Sequence, residues 1–427
     1  MSIGTRRRLL RAGGIVGGAL FLLGGESSRA TAQPGPAAST GPTILGRPLP
    51  DTGYIIHGDG GDTTALWQEA FAGIARAGRG FVRATGEHTI SEGLELPHAT
   101  SLLISGDGDA VLRKGKAGRA FRLFSQDQPQ AALPILVVRD IRLIGDWDEV
   151  TSDGGDDTRC LAVSGYHRVV IRNVAGEGFR NMTFTAGDCD EVEIDACRVL
   201  RCARDAINLS GSRFVKVTNC TIQNAWDDAI AVHVPRNVTD VNRRYATIIS
   251  NNQILQANGI KVLGGHDITI TGNQLIAPHN YGVLLGWDPY WREGAVPHAN
   301  VIIADNIISE MISHDYLPGQ GRIGVGICFA DAGRKISSTR VTGNIITKYK
   351  PSGAGVHYSD WGFGPHSGEH RMLTADGWKD PELIHGHMGK GIGIRITASN
   401  ADDVNEIAVN GNTFANLAAD VERRVER

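Results

Sequence analysis

A loose repeat runs through the chain from about residue 136, and it limits the folds that the chain can adopt. Each unit alternates apolar and polar residues, reaches an Asn next to an aliphatic residue, and continues through a polar turn into a Gly-Ile-x-Val-like strand. The Asn positions are Asn252, Asn273, Asn306, Asn344 and Asn412, and cysteine takes this position at Cys197 and Cys220. The shortest spacings are 21 and 23 residues. Short alternating strands at such a period predict a parallel β-helix.

In this all-β solenoid, each strand pairs with the same strand of the next coil, about 4.8 Å away. Inward aliphatic residues form a continuous core, and an Asn at one bend can hydrogen-bond to the Asn above and below it. A β-propeller or β-sandwich would instead need antiparallel hairpins with tight two-residue turns. Such turns do not recur at regular spacing here. A solenoid also accommodates 427 residues, because it grows lengthwise.

An amphipathic helix is predicted before the coils, from Asp62 to Ala77, with Asp62 as its N-cap. Its apolar face is formed by Leu66, Trp67, Ala70, Phe71 and Ile74. The end of a solenoid exposes unpaired strand edges, so this helix is expected to cap it. The run Gly78–Val82 is predicted to start the first coil.

The N-terminus carries three elements of an export signal in the usual order. Thr5–Leu10 reads T-R-R-R-L-L, a glycine-rich apolar stretch runs from Ala12 to Gly25, and Ala30-Thr31-Ala32 fits a cleavage site. Residues 1–32 are therefore predicted to be a twin-arginine signal peptide, 33–50 a linker, and 51–427 the β-helix domain. The apolar stretch is too short to span a bilayer well. We expect a periplasmic or extracellular protein, with the twin-arginine export machinery as a partner and no membrane attachment after cleavage.

Charge and cysteine content argue against two classes of ligand, nucleic acid and structural zinc. Removing residues 1–32, which hold five arginines and one glutamate, moves the formal charge from −3 to −7. So acidic a protein is a poor candidate for nucleic-acid binding. The six cysteines lack zinc-type spacing, and most are expected to be free and buried because twin-arginine substrates fold before export.

The N-terminal segment also carries a family resemblance. The motif Gly61-Asp62-Thr63-Thr64-Ala65, the helix, and then Gly80-Phe81-Val82 and Glu87-His88-Thr89-Ile90 resemble the N-terminal cap of polysaccharide-degrading members of the pectin-lyase-like superfamily. The resemblance covers residues 50 to 420 and implies a single-stranded right-handed parallel β-helix with an N-terminal capping helix. The same fold carries hydrolases, lyases, epimerases and adhesins.

Three aspartates from two adjacent coils are expected to lie together. Aligning the Gly-Ile-x-Val strands puts Asp205, Asp228, Asn258 and Tyr281 in one column, with Asp227 beside Asp228. Crowded carboxylates resist ionising together, so one proton should be retained near neutral pH. A protonated carboxyl beside an ionised one is what acid–base cleavage of a glycosidic bond needs.

The side chains of this column are predicted to face outward, because Ile207 and Leu209 face the core and leave Ala206 and Asn208 outside. The alternative is that the aspartates are ordinary turn residues. Like charges stacked in register without a function would destabilise the sheet, so catalysis is favoured.

A narrower resemblance concerns these strands. Asp205-Ala206-Ile207-Asn208, followed one coil later by Asp227-Asp228-Ala229-Ile230, is similar to the catalytic strands of polygalacturonase-type glycoside hydrolases. The resemblance implies that Asp227 is the general acid, that Asp205 and Asp228 hold the attacking water, and that the reaction inverts the anomeric centre.

The residues that bind galacturonate in that family are different here. Asn258 stands where a His is expected, Leu284 and Gly286 stand in place of an Arg-x-Lys pair, and Arg204 replaces a Thr. A neutral or mildly acidic polysaccharide is therefore the expected substrate.

Nine residues are predicted to bind substrate, because they lie beside the aspartates or on an aromatic loop: Asn208, His233, Asn258, Lys261, His279, Tyr281, Trp287, Tyr290 and Trp291. Sugar rings stack on exposed aromatic side chains. The structural alternatives are a salt bridge from Lys261 to Asp228, surface positions for the two histidines, and a loop pinned by its own aromatics.

An insertion at about 359–390 is expected to form a lid. Within it, His366 with His370, or His385 with His387, could bind a metal, but no helical pattern or acidic partner accompanies these pairs, so no metal site is predicted.

Three functions follow from these features. The leading one is a secreted glycoside hydrolase that needs no cofactor. The second is a calcium-dependent polysaccharide lyase or uronan epimerase, with calcium held by the aspartates and Lys261 as the base. The third is a carbohydrate-binding β-helix without turnover. The irregular, acidic face with aromatic residues at its rim favours an enzyme over the uniform faces of an adhesin.

Overall fold

The computed structural model describes residues 52–115, 120–127, 129, 131–147, 158–234, 244–278, 281–286, 296–309, 323–328, 336–347, 391–398, 407–415, 417 and 419–425, together with Thr43–Ile44 and Arg47–Pro48. The described residues belong to one compact unit that spans Thr43–Arg427. The predicted signal peptide and the insertion at 359–390 lie outside the described residues. Among the residues described, no helix has the length and apolar character to cross a bilayer.

The compact unit is a parallel β-helix, in which each coil adds one strand to each of three faces that we call A, B and C. Face A contains β6 (Ser101–Gly106), β9 (Ile135–Arg139), β12 (Arg168–Arg172), β15 (Glu191–Asp195), β18 (Phe214–Thr218), β21 (Ala246–Ser250), β24 (Gly265–Thr271), β27 (His298–Ala304), β30 (Ile336–Thr342) and β33 (Ile407–Asn410). Face B contains β7 (Val111–Lys114), β10 (Arg142–Ile144), β13 (Ala175–Phe179), β16 (Arg198–Cys202), β19 (Thr221–Ala225), β22 (Gln253–Leu255), β25 (Gln274–Ile276), β28 (Ile307–Ser309), β31 (Ile345–Thr347) and β34 (Thr413–Ala415).

Face C contains β5 (Leu94–Glu95), β8 (Phe124–Asp127), β11 (Leu161–Ser164), β14 (Phe184–Gly187), β17 (Ile207–Ser210), β20 (Asp228–His233), β23 (Asn258–Leu263), β26 (Tyr281–Gly286), β29 (Ile323–Cys328), β32 (Ile392–Ala398) and β35 (Ala419–Val425). Neighbouring strands of each face are parallel and in register. The predicted fold class, a right-handed parallel β-helix, is therefore confirmed.

The N-terminal cap consists of β3 (Gly53–Asp62) and α1 (Thr64–Ala77), followed by the long strand β4 (Arg79–Ile90). Strand β3 pairs with β4 in parallel, so strand pairing begins before the helix, which the sequence pattern did not indicate. The helix buries Trp67 and Ile74 completely, whereas Leu66 is 50% exposed and does not belong to the buried face. A short antiparallel pair, β1 (Thr43–Ile44) and β2 (Arg47–Pro48), lies within the predicted linker.

The N-cap prediction is wrong by one residue. Thr63 is the N-cap of α1, and its side chain makes no capping hydrogen bond. The Asp62 carboxylate instead accepts hydrogen bonds from the Thr64 backbone N at 2.9 Å and the Ser91 Oγ at 2.6 Å. These bonds lower the pKa of Asp62, the bond from Ser91 most of all. The carboxylate therefore ties the start of the helix to the chain that follows β4.

The predicted asparagine ladder is present between faces A and B. Each Asn donates from Nδ2 to the Oδ1 of the next coil's Asn at 2.9 Å, from Asn252 through Asn273, Asn306 and Asn344 to Asn412. The Cys220 backbone N donates to Asn252 Oδ1 at 2.9 Å, so cysteine continues the column in the earlier coils. Cys160, Cys189, Cys197, Cys202 and Cys220 are buried free thiols, as expected.

Candidate active site

Three aspartates meet at the turn from face B to face C. Asp205 lies between β16 and β17, while in the next coil Asp227 lies between β19 and β20 and Asp228 is the first residue of β20. Ile207 pairs with Ile230, and this register puts Asp205 and Asp228 in one column. One carboxylate oxygen from each of the three residues lies within 4.8 Å of the others. The structure thus brings together the trio that the sequence alignment of coils predicts.

Most members of this column are buried, although an outward orientation was expected to expose them, and the outward position predicted for Ala206 is wrong. Asp205 is 4% exposed and Asp228 is 1% exposed, whereas Asp227 is half-buried. Ala206 belongs to the hydrophobic core, because β17 begins only at Ile207 and the alternation of side chains does not extend back into the turn. Asp227 is therefore the member of the trio best placed to reach a substrate.

Both oxygens of each buried carboxylate have partners. The Asn208 Nδ2 donates to Asp205 Oδ2 at 2.6 Å, and the backbone N of Asp228 donates to Asp205 Oδ1 at 3.2 Å. The Tyr281 hydroxyl donates to Asp228 Oδ1, and the Lys261 Nζ lies 3.8 Å from Asp228 Oδ2. Strand pairing positions these side chains, since Asp228 pairs with Asn258 and Lys261 with Ala231 across β20 and β23.

The half-buried Asp227 is hydrogen-bonded to Asn258 of the next coil. Its Oδ1 accepts a hydrogen bond from the Asn258 Nδ2 at 3.2 Å, and the Asn258 backbone N donates to the Asp227 carbonyl at 3.0 Å. Asn258 itself is only 8% exposed. The next coil therefore orients Asp227 from one side.

Burial and mutual repulsion raise the pKa values of the two buried carboxyls. Burial raises the pKa of Asp205 well above its ordinary value, and the negative charges of Asp227 and Asp228 add to this effect. Burial raises the pKa of Asp228 to about 6, against the opposing influence of the Lys261 charge. Burial, together with the Asp228 charge, also raises the pKa of Tyr281, so its hydroxyl remains a donor at neutral pH. These directions agree with a trio that retains a proton.

A raised carboxyl pKa has a consequence for stability that can be measured. In the unfolded chain Asp205 ionises above a pKa of 3.8, whereas in the folded protein its raised pKa keeps it protonated to higher pH. Between these two pKa values the unfolded chain loses the proton first, so the contribution of Asp205 to the free energy of unfolding decreases as pH rises. Asp205→Asn should therefore gain stability relative to the wild type as pH rises from about 4 to about 8. Urea unfolding at several pH values measures this difference. A constant difference across the range would contradict a raised pKa at Asp205.

The predicted substrate-binding residues divide into two groups. Asn208, Asn258, Lys261 and Tyr281 contact the aspartates directly. His233 pairs in register with Ser210 on face C, and its electrostatic influence on the pKa of Asp228 is a lowering one. The remaining predicted residues, His279, Trp287, Tyr290 and Trp291, lie outside the described residues. The Lys261–Asp228 contact is also the salt bridge that was expected from the sequence as the alternative to substrate binding by this lysine.

The arrangement could hold a cation, because oxygen ligands from several carboxylates suit Ca²⁺. Asp205, Asp227 and Asp228 are the residues that would bind it. Lys261 already places a positive charge 3.8 Å from Asp228. The lysine therefore supplies part of the charge compensation that a metal ion would give.

Sequence reasoning overlooked one tryptophan beside the trio and a second tryptophan that contacts it. Trp226 directly precedes Asp227, and its ring meets that of Trp147 edge to face, with centroids 4.4 Å apart. The adjacency of Trp226 to the Asp-Asp pair was the available signal. No signal in the sequence indicated the contact with Trp147, which lies 79 residues earlier in the chain.

Comparison with known proteins places the fold. No protein-family model and no curated protein match this chain. Among solved structures, a polygalacturonase from Erwinia carotovora ssp. carotovora is similar over 88% of this chain and 99% of its own, with 11% identity and a TM-score of 0.50. The catalytic domain of a GH87 alpha-1,3-glucanase in complex with nigerose is similar over 88% of this chain and 68% of its own, with 12% identity and a TM-score of 0.53. At these identities the similarity concerns the fold alone, and it agrees with the right-handed parallel β-helix described above.

Proposed function

We propose that this protein is a glycoside hydrolase that cleaves a polysaccharide. The observation that carries the proposal is the trio itself, in which a half-buried Asp227 lies beside the buried Asp205 and Asp228. Raised pKa values at the buried pair mean that the trio can hold a proton and a negative charge together. Glycosidic cleavage needs both in one place.

The burial of each carboxyl suggests its role. Asp227 is the general acid, because it is the carboxyl that can reach the glycosidic oxygen. Asp205 and Asp228 accept the proton of the attacking water, and Asn208, Tyr281 and Lys261 hold them in position. The raised pKa values belong to Asp205 and Asp228, so the retained proton must pass from this pair to Asp227 before Asp227 protonates the glycosidic oxygen. The pair is then negatively charged and can accept the proton of the attacking water.

We propose that the reaction inverts the anomeric centre. The closest carboxylate oxygens are within 4.8 Å, which is shorter than the separation of about 6.5–9.5 Å between carboxyl groups in most inverting enzymes. A retaining mechanism, however, needs a carboxylate that attacks the sugar directly. Asp205 and Asp228 are 4% and 1% exposed, and each has partners on both oxygens, so a water molecule must act between them and the substrate.

The second candidate is a calcium-dependent lyase or epimerase, favoured by the carboxylate trio and by the proximity of Lys261. In that reaction Lys261 would remove a proton next to a uronate carboxylate. It would have to do so as a neutral amine, which would remove its ion pair with Asp228. The ion pair therefore favours hydrolysis.

A polysaccharide panel with two readouts tests the proposal. Hydrolysis should release reducing ends without the ultraviolet absorbance of unsaturated uronates, and EDTA should leave the rate unchanged. Proton NMR of the first product should show the inverted anomer. Unsaturated products or loss of activity in EDTA would establish the lyase instead, and binding without any product would identify a carbohydrate-binding protein.

We also propose that the protein acts in the periplasm or outside the cell, on the basis of the N-terminal motif. Replacing Arg6 and Arg7 with Lys should retain the protein in the cytoplasm, because the export machinery recognises the arginine pair. Fractionation of cells followed by immunoblotting measures this. Continued export of the double variant would indicate the general secretory route.

A further inference from the structure

Two aromatic rings form one rigid unit at the turn that leads into the candidate acid. The rings of Trp147 and Trp226 meet at an interplanar angle of 81°, with centroids 4.4 Å apart. Trp147 is 7% exposed, whereas Trp226 is half-buried. Trp147 therefore supports Trp226, and Trp226 is the residue of the pair with more surface accessible to a ligand.

Backbone hydrogen bonds fix both tryptophans to the coils. The Trp226 backbone N donates to the Cys202 carbonyl at 3.0 Å, and the Trp147 backbone N donates to the Gly178 carbonyl at 3.0 Å. The register of β16 and β19, in which Cys202 pairs with Ala225, puts Ala203 at the position equivalent to Trp226 in the preceding coil. Ala203 is completely buried. The two rings are thus positioned before any ligand arrives, which lowers the entropy cost of binding.

We propose that Trp226, supported by Trp147, forms a subsite in which one pyranose ring stacks by its apolar C–H face. This proposal rests on the proposed function, because the sugar on Trp226 would be the neighbour of the bond that Asp227 protonates. Indole rings offer a large, rigid surface for such contacts. Trp147, which contacts Trp226, belongs to a lower-numbered coil than Asp227, while Asn258 and Lys261 belong to the coil that follows it. A polysaccharide would therefore run along the axis of the β-helix.

Recognition by stacking distinguishes this subsite from a charged one. Two cations of the described residues interact with Asp146, the residue before Trp147: Lys114 Nζ lies 3.2 Å and Arg180 Nε 3.6 Å from its carboxylate oxygens. The affinity contributed by Trp226 should therefore be the same at low and high salt. An ionic contact at an exposed site would weaken as salt rises.

Affinity electrophoresis through gels containing polysaccharide, combined with steady-state kinetics, tests the subsite. Trp226→Ala should weaken binding about tenfold or more, equivalent to about 1.4 kcal/mol, at both salt concentrations. KM should rise by a similar factor while kcat changes little, because stacking acts equally on the bound substrate and the transition state. Trp226→Phe should restore most of the binding.

The matched control is Phe214→Ala, which removes an aromatic ring that is 43% exposed on face A. It should leave binding and KM unchanged, and thermal unfolding should verify that each variant is folded. Wild-type affinity in folded Trp226→Ala, or equal losses in the Ala and Phe variants, would overturn the subsite while leaving hydrolysis intact. Polysaccharide binding that depends on Trp226 without any cleavage would support the subsite and overturn the proposed hydrolysis.

Discussion

Replacing Asp227 with Asn should lower turnover on a polysaccharide by about 100-fold or more, the usual scale for a general acid. The loss should be much smaller on a glycoside with a good leaving group, because such a group departs without protonation. Asp205→Asn and Asp228→Asn should instead impair both kinds of substrate, since water must be activated in either case. Parallel kinetics on a polysaccharide and an aryl glycoside of the same sugar measure this difference.

The burial of Asp205 and Asp228 makes controls for folding essential. Asp127→Asn, the same substitution at an exposed position on face C, should leave turnover unchanged. Circular dichroism and thermal unfolding should show that each active-site variant keeps the β-helix. If all three aspartate variants are folded and retain full activity, the catalytic residues lie elsewhere in the chain.

Asn306→Ala should destabilise the β-helix by about 3 kcal/mol or more, because several buried polar groups lose their partners together. Asn306 is completely buried. Its Oδ1 accepts hydrogen bonds from the backbone N and the Nδ2 of Asn273, at 3.0 Å and 2.9 Å. Its Nδ2 donates to the Ile270 carbonyl at 3.0 Å and to Asn344 Oδ1 at 2.9 Å. Denaturant unfolding measures the loss.

The control for the ladder is Asn410→Ala, an exposed Asn in the last coils whose Oδ1 accepts one hydrogen bond, from Thr342 Oγ1 at 2.8 Å. This substitution should change the free energy of unfolding by no more than about 0.5 kcal/mol. Equal effects at the two positions would mean that the ladder adds nothing beyond a single surface hydrogen bond.

The repeat alone was sufficient to predict the coils, the Asn ladder and the meeting of Asp205 with Asp227 and Asp228. All three depend on strand register, and in a parallel β-helix the register follows directly from the spacing of equivalent residues. For the same reason, cysteine could be assigned to the ladder column at Cys197 and Cys220. These features are local to neighbouring coils, where sequence periodicity and spatial neighbourhood coincide.

Burial at the site was decided only by the tertiary structure. Alternation predicts which way a strand residue points, but Asp205 and Ala206 lie in a turn, where alternation does not apply. Asp228 is covered because Tyr281, 53 residues later, reaches back to its carboxylate. Trp147 likewise meets Trp226 across 79 residues of chain. Such contacts depend on side-chain length and on turns of unequal size, which a periodic pattern does not encode.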